Sequence, residues 1–273
     1  MRTVRLLALG VFVLSACSTP STPPTSAPDP NPPARVARFF HTDLAFPTTE
    51  EIAAARTGQT VLLTFKDDPQ VIVSGAADDA LRTALAPMTA AGSDWLLGYW
   101  HEPESDLTPA EYRAAFVHVA DLAKGAAHVR TVMVLQASTF AGGRADAWYP
   151  GDDVVDVVGV DGYDWKGCRT HGGVAAPGAS SASFARIFGS AEAFAQTHDK
   201  PVVVGEFATA ADPTRPWARA GWLREAAAWM GEHPAFIGAA YFNHGTAGGF
   251  RCQWALSAEQ RRVYESLWTV ERR

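Results

Sequence analysis

Apolar residues fall along this chain in short continuous runs, separated by stretches with a helical repeat. The runs are Val36–His41, Thr60–Phe65, Trp95–His101, Thr131–Ala137, Val154–Gly162, Pro201–Glu206 and Phe236–Asn243. Most lack the alternation of a half-exposed strand, which marks strands covered on both faces, as in a parallel sheet. Between them, Thr108-Pro109-Ala110-Glu111 forms a capping box with proline at the first helical position. Tyr112, Phe116, Val119 and Ala123 then recur at helical spacing. Phe184, Ile187, Phe188, Ala191 and Phe194 predict a helix ending near His198, and Trp222, Ala226 and Trp229 mark another. Ser257 with Gln260 opens the last helix, which presents Val263, Tyr264 and Leu267 to the core.

Repeated β–α units over about 240 residues mean a doubly wound sheet or a (β/α)8 barrel. Neither GxGxxG nor a phosphate-binding GxxxxGK(S/T) loop is present, which counts against a nucleotide-binding doubly wound sheet. Polar residues cluster where the runs end: His41, His101 with Glu102, Gln136, Asp161 with Tyr163, Glu206 and Asn243. A barrel gathers all its strand ends around one mouth, so the expected fold is α/β, a (β/α)8 TIM-type barrel. Only seven runs are evident. Val71–Ser74 is a candidate eighth, but it follows Thr60–Phe65 too closely for a parallel crossover. The N-terminal third of the barrel is therefore expected to be degenerate.

The first residues change the picture of where such a barrel works. Arg2 and Arg5 precede a short apolar core, Leu6 to Leu14, too short to span a bilayer as a mature helix. Leu14-Ser15-Ala16-Cys17 resembles the bacterial lipobox, which implies a signal peptide over 1–16 and lipid attached to Cys17. Residues 17–34 are rich in Pro, Ser and Thr and read as an extended tether, leaving 35–273 as one folded domain. The expected location is the outer face of a bacterial cell membrane, with Cys17 as the membrane anchor and the domain a monomer. The net charge of −6 becomes −8 without Arg2 and Arg5 (21 basic against 29 acidic residues), and no basic stripe follows a phosphate backbone, so nucleic acid is not an expected partner. In an oxidising location Cys168 and Cys252 are expected to form a disulfide rather than remain two buried thiols. They are too few for a structural zinc site, and neither a metal nor a cofactor is expected.

Two runs deliver a carboxylic acid at their ends: Trp95–Glu102 and Pro201–Glu206. Two such groups facing one another across a barrel mouth suit acid/base and nucleophilic roles at a glycosidic bond, which retaining enzymes perform with carboxyls about 5–5.5 Å apart. A structural, salt-bridged Glu206 is the plainer alternative, although a carboxylate among Val and Phe is costly unless paired. Glu104 competes with Glu102 but is expected in solvent. His101-Glu102 is not a zinc-protease motif, because no histidine follows at 105 and Pro103 forbids the helix. His101 instead orients a carboxylate, holds a sugar hydroxyl, or simply packs. Tyr163 is placed to donate to Glu206, Trp165 to stack on a sugar, and Asp161 and Asn243 to bind substrate or serve as structural hydrogen-bond hubs.

These residues resemble glycoside hydrolase family 26, retaining (β/α)8-barrel enzymes best known as β-mannanases. The resemblance rests on His101-Glu102, on the Asp161-Gly162-Tyr163 ending, on Pro201–Phe207 and on Tyr241–Asn243, and covers roughly residues 36–270. It implies Glu102 as acid/base, Glu206 as nucleophile, Tyr163 beside the nucleophile and His101 at the sugar, with a β-linked polysaccharide, by default mannan, as substrate. The family's Arg-Pro-Leu before His-Glu and Met-Asn-Gly after it are here Gly98-Tyr99-Trp100 and Pro103-Glu104-Ser105, so Trp100 and Pro103 alter the floor beside the cleavage point. Those changes keep a second reading open, a non-catalytic glycan-binding lipoprotein on the same barrel. A third, a hydrolase built on His41, Asp43 and His244, has weaker support.

Overall fold

A computed structural model describes residues 34–268 apart from 167, 171–180, 213 and 245–249. The signal peptide, Cys17 and nearly all of the tether lie outside the described residues. Among those described, no helix is long and apolar enough to cross a membrane.

The elements in chain order are β1 (Ala34–Arg35), β2 (Ala37–His41), α1 (Thr49–Arg56), β3 (Val61–Phe65), α2 (Pro69–Val73), α3 (Asp78–Ala91), β4 (Trp95–Tyr99), α4 (Pro109–Ala123), β5 (Val129–Gln136), α5 (Ala137–Ala141), α6 (Ala145–Trp148), β6 (Val157–Asp164), β7 (Arg169–Thr170), α7 (Phe184–Thr197), β8 (Val202–Thr209), α8 (Ala218–Glu232), β9 (Phe236–Tyr241), β10 (Phe250–Arg251) and α9 (Ala258–Leu267). Eight parallel strands run in the order β1-β9-β8-β6-β5-β4-β3-β2, with helices alternating outside them, and form a (β/α)8 barrel. The ends of that order are neighbours in the chain. Ala34 and Arg35 pair with Gly238 and Ala239 of β9, and Ala37 to His41 pair with β3. Val36 carries the changeover: its amide donates to Ala239, and that of Ala37 donates to Thr60. One stretch thus closes the barrel from both sides, which is why only seven apolar runs are visible in the sequence.

Val71–Ser74, the candidate that lies too close to β3 for a parallel crossover, is not a strand. Asp68 accepts from the Gln70 amide and Pro69 holds the first helical position, so the segment is the short helix α2, where Ile72 is buried and Val71 and Val73 are exposed. The strand predicted through His101 stops at Tyr99, and the chain then turns through left-handed Trp100 (φ 51°) and Glu102 (φ 49°).

Inside the barrel, Val36, Leu62, Leu96, Val132, Val134, Val157, Val203 and Ala240 form a dry interior. A larger core fills the space between barrel and helices, with Trp95, Tyr99, Tyr112, Phe184, Phe188 and Phe207 among its buried aromatics. A fully buried side chain of this kind contributes roughly 1.5–3 kcal/mol, so these two layers dominate the stability. Cys168 and Cys252 form the disulfide and, with the antiparallel β7–β10 ribbon, tie the loop after β6 to the loop after β9.

β4 depends on a missing side chain. A Cβ on Gly98 would lie 2.8 Å from Thr64 Cγ2 and 2.9 Å from the Val132 carbonyl oxygen. Gly98→Ala is therefore expected to destabilise the domain by about 1–3 kcal/mol, read as a fall of several degrees in Tm by differential scanning calorimetry. An unchanged Tm would show that β4 tolerates the displacement.

Candidate active site

The barrel's alternation alone would aim Glu206 the wrong way. Val203 faces the barrel interior, while Val202 and Val204 face the helices, so Glu206 would be expected outside with them. A β-bulge intervenes. Val160 pairs with Val204 and Asp161 with Glu206, leaving Gly205 extra on β8, and the pairing with β9 shifts over the same residues. The bulge turns Glu206 inward, where it is buried, and returns Phe207 to the outer core. Only glycine suits the extra position, since a Cβ there would sit 2.5 Å from Asp161 Oδ1.

Glu102 reaches the same mouth from an irregular turn. The Trp100 amide donates to Phe65 and the Glu102 amide to Val134, so β3 and β5 grip the turn from both sides. Left-handed backbone at two non-glycine residues costs free energy that such surroundings must offset, a pattern that concentrates at functional sites. Pro103 then opens a single 3-10 turn. That turn folds Glu104 back onto β5 instead of out into solvent: the Gln136 amide (2.8 Å) and Thr139 hydroxyl (2.7 Å) donate to its Oε1.

Around these acids lies one partly buried network. The Tyr163 hydroxyl donates to Glu206 Oε2. Arg38 projects from β2 toward Asp161 and Glu206, donating through Nη1 to the Phe39 carbonyl oxygen (2.9 Å) and to Thr64 Oγ1 (2.8 Å). Because the guanidinium can only donate, the Thr64 hydroxyl hydrogen is available to His101 Nδ1, 2.9 Å away. Burial, reinforced by the Arg38 and Lys66 charges, holds His101 down to about 3, so its ring is neutral. Asp161 lies beside Glu206 in the sheet, buried and with neither carboxyl oxygen hydrogen-bonded among the described residues. Burial pushes its carboxyl well above the ordinary range, the Glu206 charge adds to that, and Arg38 opposes it. Burial is also the main cause of a raised Glu102, with the charges of Glu206 and Glu104 adding to it; Lys66 and a hydrogen bond from Gln136 work the other way, and the result is about 7.

The fold therefore brings Glu102, Glu206, His101, Asp161 and Tyr163 together. Trp165 stands behind Tyr163, their ring centroids 5.6 Å apart, and packs edge-on against Trp254 at 5.5 Å. Trp100 is turned toward the rim: its indole N–H donates to Asp106 (3.0 Å), and Lys66 Nζ lies 5.2 Å from its ring. Asn243 is exposed, and its amide oxygen accepts from the Leu256 amide (2.7 Å), which pins the loop between β9 and α9. His41 pairs with Glu51 (2.6 Å), the capping-box residue of α1, and Asp43 accepts from the Ala45 amide. No group of three metal-ligating side chains is present among the described residues. Sequence reasoning missed Arg38, Phe40, Thr64 and the inward role of Glu104. Counting alternation from Val36 would have found the first two, since Arg38 and Phe40 share its register.

No family model matches the chain. Its fold is similar to that of a GH26 β-mannanase from Bacteroides ovatus, at 14% identity over 81% of this chain and 71% of that one, with a TM-score of 0.53. The GH26C protein of a Muricauda species is similar at 14% identity, 82% and 69% coverage and a TM-score of 0.53. A fungal β-1,4-galactanase shares the fold at 12% identity, 85% and 87% coverage and a TM-score of 0.60. In sequence the chain is 31% identical over 132 residues to Endoglucanase H of Acetivibrio thermocellus, a match that spans 46% of this chain but 14% of that protein. The barrel is the one these glycoside hydrolases carry.

The raised Glu102 makes a stability prediction with a definite sign. Folded Glu102 holds its proton to about pH 7, and the unfolded group loses it near its ordinary 4.5. The stability that this proton contributes is complete below about pH 4.5 and lost as pH rises to about 7. Glu102→Gln carries no such loss. The difference in Tm between Glu102→Gln and the parent should therefore grow in the variant's favour from about pH 4.5 to about 7 and then level off. A pH-independent difference in thermal unfolding would contradict the burial of this carboxyl.

Proposed function

We propose that the chain is a retaining endo-β-glycosidase of the family 26 type that hydrolyses a β-linked polysaccharide. The carrying observation is the placement of Glu102, held near 7 by burial and by the Glu206 charge, so that a proton donor and a second carboxyl share one barrel mouth. Glu206 Oε2 is occupied by Tyr163, which leaves Oε1 to attack the anomeric carbon. As the C–O bond to the leaving sugar breaks, Glu102 gives its proton to the departing oxygen. Water then enters, Glu102 takes a proton from it, and the resulting hydroxide equivalent displaces Glu206, restoring both groups with the anomeric configuration retained. Neutral His101, anchored through Nδ1, presents Nε2 toward the bound sugar. The names of the similar proteins favour β-1,4-linked backbones, and mannan is the first choice because the His-Glu and Val-Gly-Glu endings resemble the mannanases. Lipid on Cys17 would hold this activity at the outer face of a membrane, a reading supported by the Leu14-Ser15-Ala16-Cys17 sequence.

The test is a reducing-end assay of the domain from about Ala34 on mannans, xylans, β-glucans and β-galactans. Glu206→Ala should lower kcat on the cleaved polymer by roughly a thousandfold or more. Glu102→Ala should be impaired on the polymer far more than on an aryl glycoside with a good leaving group, which needs no proton. In the parent, kcat/KM should fall as pH rises through about 7, because the acid must be protonated. Undiminished cleavage by Glu206→Ala would sink the assignment.

A further inference from the structure

Among the described residues four large apolar side chains are exposed: Val71 and Val73 on α2, Trp217 just before α8, and Phe40. Phe40 alone stands on a barrel strand, and its register is inward. Val36 packs into the barrel interior, Arg38 lies among Asp161, Glu206 and Tyr163, and alternation carries Phe40 to the same side at the mouth. It is nevertheless 44% exposed. Leaving that apolar surface in water is unfavourable, and the core would not lose by a polar residue here.

The ring is held as a platform. Arg38 Cζ lies 3.9 Å from its centroid and covers one face. The His101 ring meets it edge-on, with centroids 4.9 Å apart and planes at 61°. Both neighbours are fixed through Thr64 Oγ1, which accepts from Arg38 and bonds His101 Nδ1. The ring therefore has a braced back, a braced edge and one free face, one residue away in space from the Glu102 turn through His101. A pre-oriented aromatic face loses little conformational freedom when it binds a flat apolar partner.

A pyranose supplies that partner. When no axial hydroxyl projects from one side of the ring, that side presents only C–H bonds and lies flat on an aromatic face. We propose that Phe40 is a sugar-stacking platform, binding a pyranose unit of the polysaccharide through its C–H face beside the Glu102–Glu206 pair. The assignment deepens the glycosidase reading and rests on it for the identity of the polymer. It makes Phe40 a binding residue, with Arg38 as its positioning residue.

The experiment uses Glu206→Gln protein, which keeps oligosaccharides intact, carrying Phe40, Phe40→Trp or Phe40→Leu. Hexasaccharides of β-mannan, xylan, β-glucan and β-galactan are titrated by calorimetry, with Tm recorded for each variant and cleavage by the parent measured alongside. Leucine keeps apolar bulk but has no flat face. Phe40→Leu is expected to weaken binding of the recognised hexasaccharide about tenfold, Phe40→Trp to retain it, and Tm to stay nearly constant because the side chain is exposed. Equal affinity for Leu and Phe overturns the platform, and does so without touching the glycosidase reading if the parent still cleaves. Binding that Phe40→Leu weakens, in a parent that cleaves nothing, upholds the platform and overturns the glycosidase reading. Absence of binding to every hexasaccharide overturns the platform as well.

Discussion

The structure turns on confining several acids to one enclosed space. Glu102, Glu104, Asp161 and Glu206 all approach the mouth, and Arg38 is the buried cation in their midst. Like charges this close cannot all persist in a low-dielectric interior, so the protons redistribute: Glu102 and Asp161 are both pushed upward, with burial as the leading cause for each. The apolar lining of the barrel is therefore part of the chemistry. Leu62, Val134 and their neighbours lie beneath the acids, and burial of this kind is the leading cause of the upward shifts of Glu102 and Asp161.

Closing the barrel serves the same end. A parallel sheet left open beside β9 would admit water along its edge, and the charges inside would be screened. Here one stretch, bent at Val36, pairs with β9 through two residues and with β3 through five. Its cost is a thin seam. Its consequence is that Arg38 and Phe40 project inward from a strand paired with β3 along its whole length and joined through Val36 to the residues paired with β9.

Much of this was legible in the sequence, for reasons that also explain the failures. The apolar runs, the capping boxes at Thr108 and Ser257 and the polar run-endings are local signals, and the barrel follows from them. Glu102 and Glu206 were legible as strand-end acids, yet the direction in which Glu206 points was not: strict alternation aims it outward, and only pairing with two neighbouring strands reveals the bulge at Gly205. Val71 to Ser74 stood as a doubtful eighth strand because its β-branched residues favour one while its distance from β3 forbids a parallel crossover, and the Asp68-Pro69 cap makes it a helix. Arg38 and Phe40 were hidden inside a run judged uniformly apolar. Glu104 was assigned to solvent from Ser105 and Asp106 beyond it, when the contacts that draw it in belong to β5 and α5, more than thirty residues along the chain.

The two strand-end acids break local rules in different ways. Glu206 needs an extra residue in a ladder, and Glu102 needs left-handed backbone immediately before a proline. Either departure would be unfavourable in an ordinary strand, and a chain selected only for stability has no use for both at one barrel mouth. Each is held by neighbours: Glu102 by the β3 and β5 backbone, Glu206 by Asp161's strand and the Tyr163 hydroxyl. Local inconsistency, supported from outside and concentrated around two carboxyls, is what a reactive site looks like when folding preference gives way to geometry. A barrel that merely held a glycan would gain nothing from a half-buried carboxyl raised to about 7 near a second one, since stacking and hydroxyl contacts suffice for binding. A proton held on Glu102 to about 7 beside a second carboxyl weighs toward bond cleavage over simple recognition.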